Sequence, residues 1–189
     1  MVESKFTLEE QMMARAISNA TKARPRCMPN PWVGAVLVSS DGQTFDGFTQ
    51  EFGSGHAETV CLDEAGRKAQ GATLYVTLEP CSHSGKTGPC VERIIESRIS
   101  RVVIGMKDPD RQVCGEGIKS LQNAGVDVVV GVLEDLVAEQ LAPYVHHRNT
   151  GRPYVILKIA TTLDGKVAAP DGSSPVSYTH LRAHETSTY

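Results

Sequence analysis

Short apolar runs alternate with amphipathic stretches along most of the chain. Apolar runs typical of strands lie at about residues 33–38, 44–48, 73–78, 102–105 and 126–130. Apolar residues at helical spacing predict helices over about residues 8–21, 56–68, 91–97, 117–124 and 133–141. Asp41-Gly42 separates the first two strands and is typical of a hairpin turn. Strands that alternate with helices predict an α/β fold in which helices cover both faces of one sheet.

The first predicted helix has a recognisable N-terminus. Thr7 and Glu10 have the spacing of a capping box, in which each side chain bonds to the backbone of the other residue. Leu8, Met12 and Ala16 follow at helical spacing. We therefore expect this helix to begin at about residue 8 and to serve packing and not chemistry.

Two short motifs within this framework combine residue types that bind metals. His56-Ala57-Glu58 opens the second helix, Glu79-Pro80-Cys81 follows the third strand, and Cys90 comes after a gap of eight residues. Deaminases that hold a catalytic zinc through one histidine and two cysteines have this order, with a shorter gap between the cysteines. The strand, loop and helix around the motifs give the context that such a site needs. The sequence therefore predicts one Zn²⁺ per chain, with His56, Cys81 and Cys90 as ligands.

One kind of chemistry explains why these residue types occur together. A catalytic zinc takes three protein ligands and keeps a fourth position for water, whose pKa it lowers to roughly 7. A neighbouring carboxylate can take a proton from that water and return it to the substrate nitrogen and the leaving ammonia. We predict that Glu58 is this catalytic residue and not a ligand. Each residue alone has an ordinary interpretation, such as a capping histidine, a solvated glutamate or a buried cysteine, so the combination carries the argument.

Two loops are candidates for substrate contact. The polar loop between the two cysteines contains His83, Lys86 and Thr87. Either this loop is simply solvated, or those three side chains bind an anionic group near the metal, since lysine suits phosphate. A role for His83 as a fourth ligand is disfavoured, because it would close the open position of a catalytic zinc. Asp108 follows the fourth strand, at an end where ligands gather in α/β sheets, and a plain turn is an equal alternative there.

Composition and charge narrow the class of function. The chain has 189 residues, of which 40% are hydrophobic, and a formal net charge of −3. Lysine and arginine form no basic stripe, so nucleic acid is not an expected partner. We find no pattern of a signal peptide and no membrane span. Five irregularly spaced cysteines fit free thiols and metal ligation better than a disulfide framework. We therefore expect a cytoplasmic enzyme.

Residues 8 to about 145 resemble the deaminase domain of the bifunctional pyrimidine deaminase/reductases of riboflavin biosynthesis. The matching stretches are Pro29–Val36, His56–Glu58, Thr77–His83, Gly85–Thr87, Pro89-Cys90 and Asp108-Pro109. The Cys-Ser-His loop and the wide gap between the cysteines are specific to this family. The resemblance implies a three-layer α-β-α cytidine-deaminase-like domain with a central mixed sheet, over residues 1–148. Gly88 stands where the family usually has proline, and Thr49 lies near where many members have histidine.

The resemblance also implies a reaction. The family hydrolyses the 2-amino group of 2,5-diamino-6-ribosylamino-4(3H)-pyrimidinone 5′-phosphate, giving 5-amino-6-(5-phosphoribosylamino)uracil and ammonia. Asn30 would hold the pyrimidine, while His83 and Lys86 would help to fix the substrate and its phosphate. Thr87 and Asp108 complete the predicted substrate-binding set. Two alternatives stay open. The chain could be another zinc deaminase that acts on a nucleoside, base or tRNA, or it could be a structural zinc module without catalysis.

A second resemblance begins near residue 153. Tyr154–Lys166 resembles the first strand of the family's NADPH-dependent reductase domain. Lys158 and Thr161 match positions that lie by NADP in that family, and Ser174 matches a substrate-contacting serine. Val176 stands where the family has tryptophan. We therefore interpret these residues as remnants and expect no reductase activity.

The resemblance divides the rest of the chain into two parts. Residues 149–175 would be the start of a truncated reductase domain, so NADPH would serve only the intact two-domain protein. Because the family often assembles through its reductase halves, we expect any homo-oligomer to be weakened here. Residues 176–189 resemble the translation of a sequencing adapter and are expected to be disordered. His180, His184 and Glu185 are therefore assigned no role as ligands.

Overall fold

The computed structural model describes residues 6–82, 88–110 and 113–173. Its strands are β1 (Gly34–Val38), β2 (Thr44–Phe48), β3 (Thr73–Leu78), β4 (Arg101–Met106) and β5 (Asp127–Val130). Its helices are α1 (Leu8–Ala23), α2 (Ala57–Ala65), α3 (Cys90–Glu96), α4 (Glu116–Asn123), α5 (Glu134–Gln140) and α6 (Ala142–Thr150), and a short 3-10 helix covers Gly66–Ala69. Every predicted strand and helix before residue 142 is present, whereas α6 has no counterpart among the predicted elements.

The termini of two helices have clear local causes. Thr7 caps α1, its backbone N–H lies 2.7 Å from Glu10 Oε2, and the reciprocal bond of the capping box is also present. The predicted capping box is therefore confirmed. Helix α2 was expected to continue to about residue 68, but it ends at Ala65 because Gly66 adopts a left-handed φ of 53°.

The sheet is mixed, and its strand order is β2-β1-β3-β4-β5. Strand β1 runs antiparallel to both β2 and β3, which confirms the predicted hairpin. Strands β3, β4 and β5 are parallel, and Leu78 at the end of β3 pairs with Met106 at the end of β4. Because carboxyl ends of parallel strands share one edge, the loops that carry Cys81 and Asp108 leave the sheet side by side.

Helices cover both faces of this sheet. Val103 of β4 packs in one buried cluster with Met13 and Ala16 of α1. Its neighbours Val102 and Ile104 point to the other face and join a larger cluster with side chains of α2, α3 and α4. This alternation confirms the predicted three-layer α-β-α arrangement with a central mixed sheet.

A polar cluster ties α1 to the edge strand β2. Arg15 Nε and Nη2 lie 2.8 and 2.6 Å from the two carboxylate oxygens of Asp46. Asn19 Nδ2 donates to Asp46 Oδ1 at 2.7 Å and lies 3.2 Å from the carbonyl oxygen of Ala35. The contact between α1 and β1 is equally tight, since a Cβ at Gly34 would lie 1.9 Å from the carbonyl oxygen of Ala16. A side chain at this glycine would therefore force the helix off the sheet.

The chain divides into two compact units, with the boundary after Arg152. Residues 153–173 of the second unit contain no helix or strand. The strand predicted over Tyr154–Lys166 is therefore not formed in this segment, because an isolated strand has no neighbour to pair with its backbone groups. The domain boundaries at residues 148 and 175 stay predictions.

Several sequence-based assignments fall in or near this second unit. Lys158 and Thr161 are exposed, and their relation to NADP is a prediction from the family alone. Ser174 and residues 176–189 lie outside the described residues. Within the described ranges, none of the helices combines the length and hydrophobicity that a bilayer crossing requires.

Leu74 provides a test of the core. Its side chain is fully buried on β3, whereas Leu136 on α5 is 47% exposed. We expect Leu74→Ala to lower the free energy of unfolding by about 2 to 5 kcal/mol, because it removes buried methyl groups and leaves a cavity. Leu136→Ala, measured by urea unfolding in parallel, should change that free energy by less than about 1 kcal/mol. Equal effects of the two substitutions would contradict the described packing.

Candidate active site

The three predicted zinc ligands lie where two helices begin and one strand ends. His56 is the N-cap residue of α2, and its side chain makes no capping hydrogen bond. Cys81 lies just beyond the end of β3, and Cys90 is the first residue of α3. Because the N-terminus of a helix favours negative charge, this placement suits cysteine thiolates.

The donor atoms of these residues form one tight cluster. His56 Nδ1 lies 3.2 Å from Cys90 Sγ and 3.6 Å from Cys81 Sγ. All three donor atoms lie within 4.8 Å of one another. A tetrahedral zinc with its usual bond lengths separates a nitrogen and a sulfur ligand by about 3.5 Å. The cluster therefore fits zinc, which His56 would bind through Nδ1.

The electrostatics of the two cysteines also suit a cation. The hydrogen bond from the Cys90 thiol lowers the pKa of Cys81 to about 4. The same bond, together with burial, raises the pKa of Cys90. The backbone N–H of Cys90 lies 3.4 Å from Cys81 Sγ and adds support for a thiolate there. A bound metal ion would favour the thiolate form of both cysteines, because metal ligation requires deprotonated sulfur.

Glu58 lies beside this cluster in the first turn of α2. Its side chain is only 4% exposed. Burial raises the pKa of its carboxyl group, because the charged form loses its hydration. A carboxyl group with a raised pKa holds a proton more readily than an exposed one, and proton transfer requires a group that can both accept and donate a proton.

A pocket of about 280 Å³ opens onto the cluster. Its lining residues are Asn30, Pro31, Val33, Thr49, His56, Glu58, Leu78, Glu79, Cys81, Asp108, Asp110, Val113, Tyr144 and Arg148. The structure therefore brings Asn30 and Asp108, both predicted to bind substrate, together with Glu58. The other three predicted substrate-binding residues, His83, Lys86 and Thr87, lie outside the described residues.

Thr49 forms part of the pocket wall. It is 3% exposed, and the backbone N–H of Val33 donates to its hydroxyl oxygen at 3.1 Å. Its own backbone N–H donates to the carbonyl oxygen of Val33 at 3.0 Å. The side chain therefore extends the pairing beyond β1 and β2 and holds this part of the wall in place.

Glu79 was not predicted as a site residue, although it lines the pocket. One carboxylate oxygen, Oε2, accepts from the backbone N–H groups of Asp108 at 3.3 Å and Gly115 at 3.0 Å. The other, Oε1, accepts from Gly117 at 3.1 Å and Ile118 at 3.3 Å. Glu79 thereby fastens the loop between β4 and α4 to the strand that leads to Cys81. The sequence did contain one indication of this role, which is an acidic residue directly after an apolar strand. A buried carboxylate needs several hydrogen-bond donors.

Two residues of α6 complete the same wall and were also missed. The hydroxyl oxygen of Tyr144 lies 2.9 and 3.1 Å from the two carboxylate oxygens of Asp108. Arg148, one helical turn later, lies 3.3 Å from the carboxylate of Asp110. The spacing of four residues places both side chains on one helix face, which would have indicated a shared role if α6 had been predicted.

Comparison with known proteins gives two related findings. A family model for the cytidine and deoxycytidylate deaminase zinc-binding region matches residues 7–106. The chain is also 45% identical over 167 residues to the riboflavin biosynthesis protein RibD of Aquifex aeolicus. That alignment covers 88% of this chain and 47% of the relative.

Comparison with solved structures finds similar relatives. The diaminohydroxyphosphoribosylaminopyrimidine deaminase/5-amino-6-(5-phosphoribosylamino)uracil reductase of Thermotoga maritima matches with a TM-score of 0.84 at 44% identity, covering 92% of this chain and 50% of that chain. RibD of Acinetobacter baumannii, in one crystal form, matches with a TM-score of 0.83 at 41% identity, covering 92% and 49%. The chain therefore spans about half the length of these relatives.

Removal of a ligand tests the metal centre directly. We expect the purified chain to hold one zinc and Cys90→Ser to lose most of it, because two remaining ligands bind zinc weakly. Cys114 is exposed and lies outside the cluster, so Cys114→Ser is the matched control and should keep its zinc. Atomic absorption after dialysis gives the zinc content. A full zinc equivalent in Cys90→Ser would contradict this ligand set.

Proposed function

The chain belongs to the family of the cytidine and deoxycytidylate deaminase zinc-binding region, and from this premise we propose that it hydrolyses an amino group of a phosphoribosyl-aminopyrimidine in riboflavin biosynthesis. One observation carries the proposal, which is the His56, Cys81 and Cys90 cluster with buried Glu58 beside it at the same pocket. A structural zinc site has no need for a buried carboxyl group next to its ligands, whereas hydrolytic deamination does.

The residues of the pocket have distinct roles in this mechanism. Zinc, when bound by His56, Cys81 and Cys90, would act as a Lewis acid that makes water nucleophilic near neutral pH. Glu58 takes a proton from the attacking water and passes protons to the ring nitrogen and to the departing amine. A carbon–oxygen bond forms, the carbon–nitrogen bond breaks, and ammonia leaves. The buried position of Glu58 suits this role, because its raised pKa lets it hold a proton between the two transfers.

The proposed substrate is 2,5-diamino-6-ribosylamino-4(3H)-pyrimidinone 5′-phosphate. Similarity to RibD proteins and the wide gap between Cys81 and Cys90 support this choice. Asn30 and Asp108 lie in the pocket lining, as residues that hold the substrate must. In the proposal, Asn30 holds the pyrimidine, and the loop with His83, Lys86 and Thr87 binds the phosphate.

The proposal is confined to the deaminase half of the reaction sequence. The chain spans about half the length of its RibD relatives, and the segment after residue 153 lacks regular structure up to residue 173. The proposal therefore concerns deamination alone, and a role for NADPH in an intact two-domain protein stays a prediction from the resemblance. Cytoplasmic location and a weakened homo-oligomer stay predictions of the same kind.

Glu58→Gln tests the proton transfer step. Glutamine keeps the shape of the side chain but cannot carry the proton, so we expect ammonia release to fall by about 10²- to 10⁴-fold. The zinc content should stay at one per chain, because Glu58 is not a ligand. Glu64 is exposed on the same helix, and Glu64→Gln should keep full activity. A Glu58→Gln chain that releases ammonia at the wild-type rate would rule out this mechanism.

The choice of substrate is tested by comparing ammonia release from four compounds. These are the proposed phosphoribosyl-pyrimidine, its dephosphorylated form, cytidine and guanine. We expect the phosphorylated pyrimidine to have the highest kcat/KM, because it alone fills both the ring and the phosphate positions. A higher kcat/KM for cytidine or guanine would favour another class of zinc deaminase.

A further inference from the structure

We infer that Tyr144 of α6 is a positioning residue that holds the Asp108 carboxylate in the orientation needed for substrate binding. This inference rests on the proposed function, because it concerns the same pocket. Tyr144 itself would act through Asp108 and not on the reacting atoms.

The position of Tyr144 is fixed from two sides. Its ring is partly buried and packs against the larger core cluster, which includes the fully buried Leu141. Its hydroxyl group reaches Asp108 at 2.9 Å from Oδ1 and 3.1 Å from Oδ2. A tyrosine whose ring is packed against a core and whose hydroxyl is hydrogen-bonded has little rotational freedom, so it can define where its partner lies.

Asp108 is held from its backbone as well as from its side chain. Its backbone N–H donates to Glu79 Oε2 at 3.3 Å, and its Oδ1 accepts from the backbone N–H of Asp110 at 2.8 Å. These bonds fix the main chain and one carboxylate oxygen. The hydroxyl of Tyr144, which lies near both oxygens, is the contact that also constrains the second oxygen.

Asp108 keeps the capacity to bind a ligand in this arrangement. A carboxylate has about four acceptor positions, and the two bonds from Tyr144 and the Asp110 backbone leave some of them unused. Asp108 is 6% exposed and lines the pocket. An amino, ring N–H or hydroxyl donor of the substrate is therefore the group that this carboxylate would accept.

Arg148 supports the same arrangement. Its guanidinium lies over the ring of Tyr144, 5.3 Å from the ring centre, and pairs with Asp110 at 3.3 Å. It thereby adds a second contact to the ring and balances the charge of Asp110, the acid two residues after Asp108. Two acids so close together would otherwise repel an anionic substrate.

The test measures ammonia release and zinc content of the full chain for Tyr144→Phe, Asp108→Asn and the double variant. The substrate is the proposed phosphoribosyl-aminopyrimidine. We expect Tyr144→Phe to raise KM roughly 10- to 100-fold, because one hydrogen bond to a charged group is lost, and to leave kcat within about threefold. Phenylalanine keeps the ring, so its packing against the core is unchanged.

The double variant separates a positioning role from an independent one. If Tyr144 acts through Asp108, Tyr144→Phe should add almost nothing to the loss caused by Asp108→Asn. Independent losses that multiply in the double variant would overturn the inference, as would a fall in kcat with KM unchanged. Tyr75→Phe is the matched control, since Tyr75 is a buried tyrosine of the other core cluster. A rise in KM for this control equal to that of Tyr144→Phe would also count against the inference.

An error in the proposed function would give a different result from an error in this inference. If the wild-type chain releases no ammonia from this substrate, the proposed function is wrong. Crystal structures of the wild-type and Tyr144→Phe chains then decide the positioning role alone. A rotated Asp108 carboxylate in the variant supports the role, and a carboxylate in the same position overturns it.

Discussion

The parallel pairing of β3 with β4 is the constraint on which the site depends. Because Leu78 and Met106 are partners in register, the loop with Cys81 and the loop with Asp108 leave the sheet at adjacent points. Glu79 then joins the two loops. Its carboxylate accepts hydrogen bonds from backbone N–H groups of the loop with Asp108 and of the start of α4. The loop that carries Cys81 and the pocket wall at Asp108 are thereby held by one strand pair and one buried acid.

The pocket concentrates acids, and the structure stabilises each of them differently. Glu79 is bonded by four backbone N–H groups, Asp108 by the hydroxyl of Tyr144 and one backbone N–H, and Asp110 by the guanidinium of Arg148. These contacts favour fixed, structural carboxylates. Burial raises the pKa of Asp108 as well as that of Glu58, and Glu58 differs because it lies in the first turn of α2, beside the ligand cluster. This difference in surroundings explains why one acid of the pocket suits proton transfer while the others suit position.

The sequence predicted the metal-binding residues better than the residues that hold the pocket in place. The grouping of His56, Cys81 and Cys90 could be predicted because zinc is bound by few residue types and this motif has a characteristic order. Glu79 was missed because its partners are backbone groups, which leave no trace in residue type. Helix α6 was missed because it is short, has few apolar residues and contains a proline in its first turn. The strand predicted after residue 153 failed for another reason, since a strand exists only when a second strand pairs with it.

The boundary of the zinc-binding region separates two tasks of this pocket. The region that matches the family model, residues 7–106, contains the three predicted ligands and Glu58. Asp108, Tyr144 and Arg148 all follow it, yet they line the same pocket. The predicted ligands thus lie within the shared region, whereas the part of the wall formed by Asp108, Tyr144 and Arg148 lies beyond it. A pocket wall can change without altering the metal ligands. Differences in substrate among such deaminases are therefore expected to arise in segments like residues 107–150. There, hydrogen bonds between side chains decide which donor groups of a substrate a carboxylate can bind.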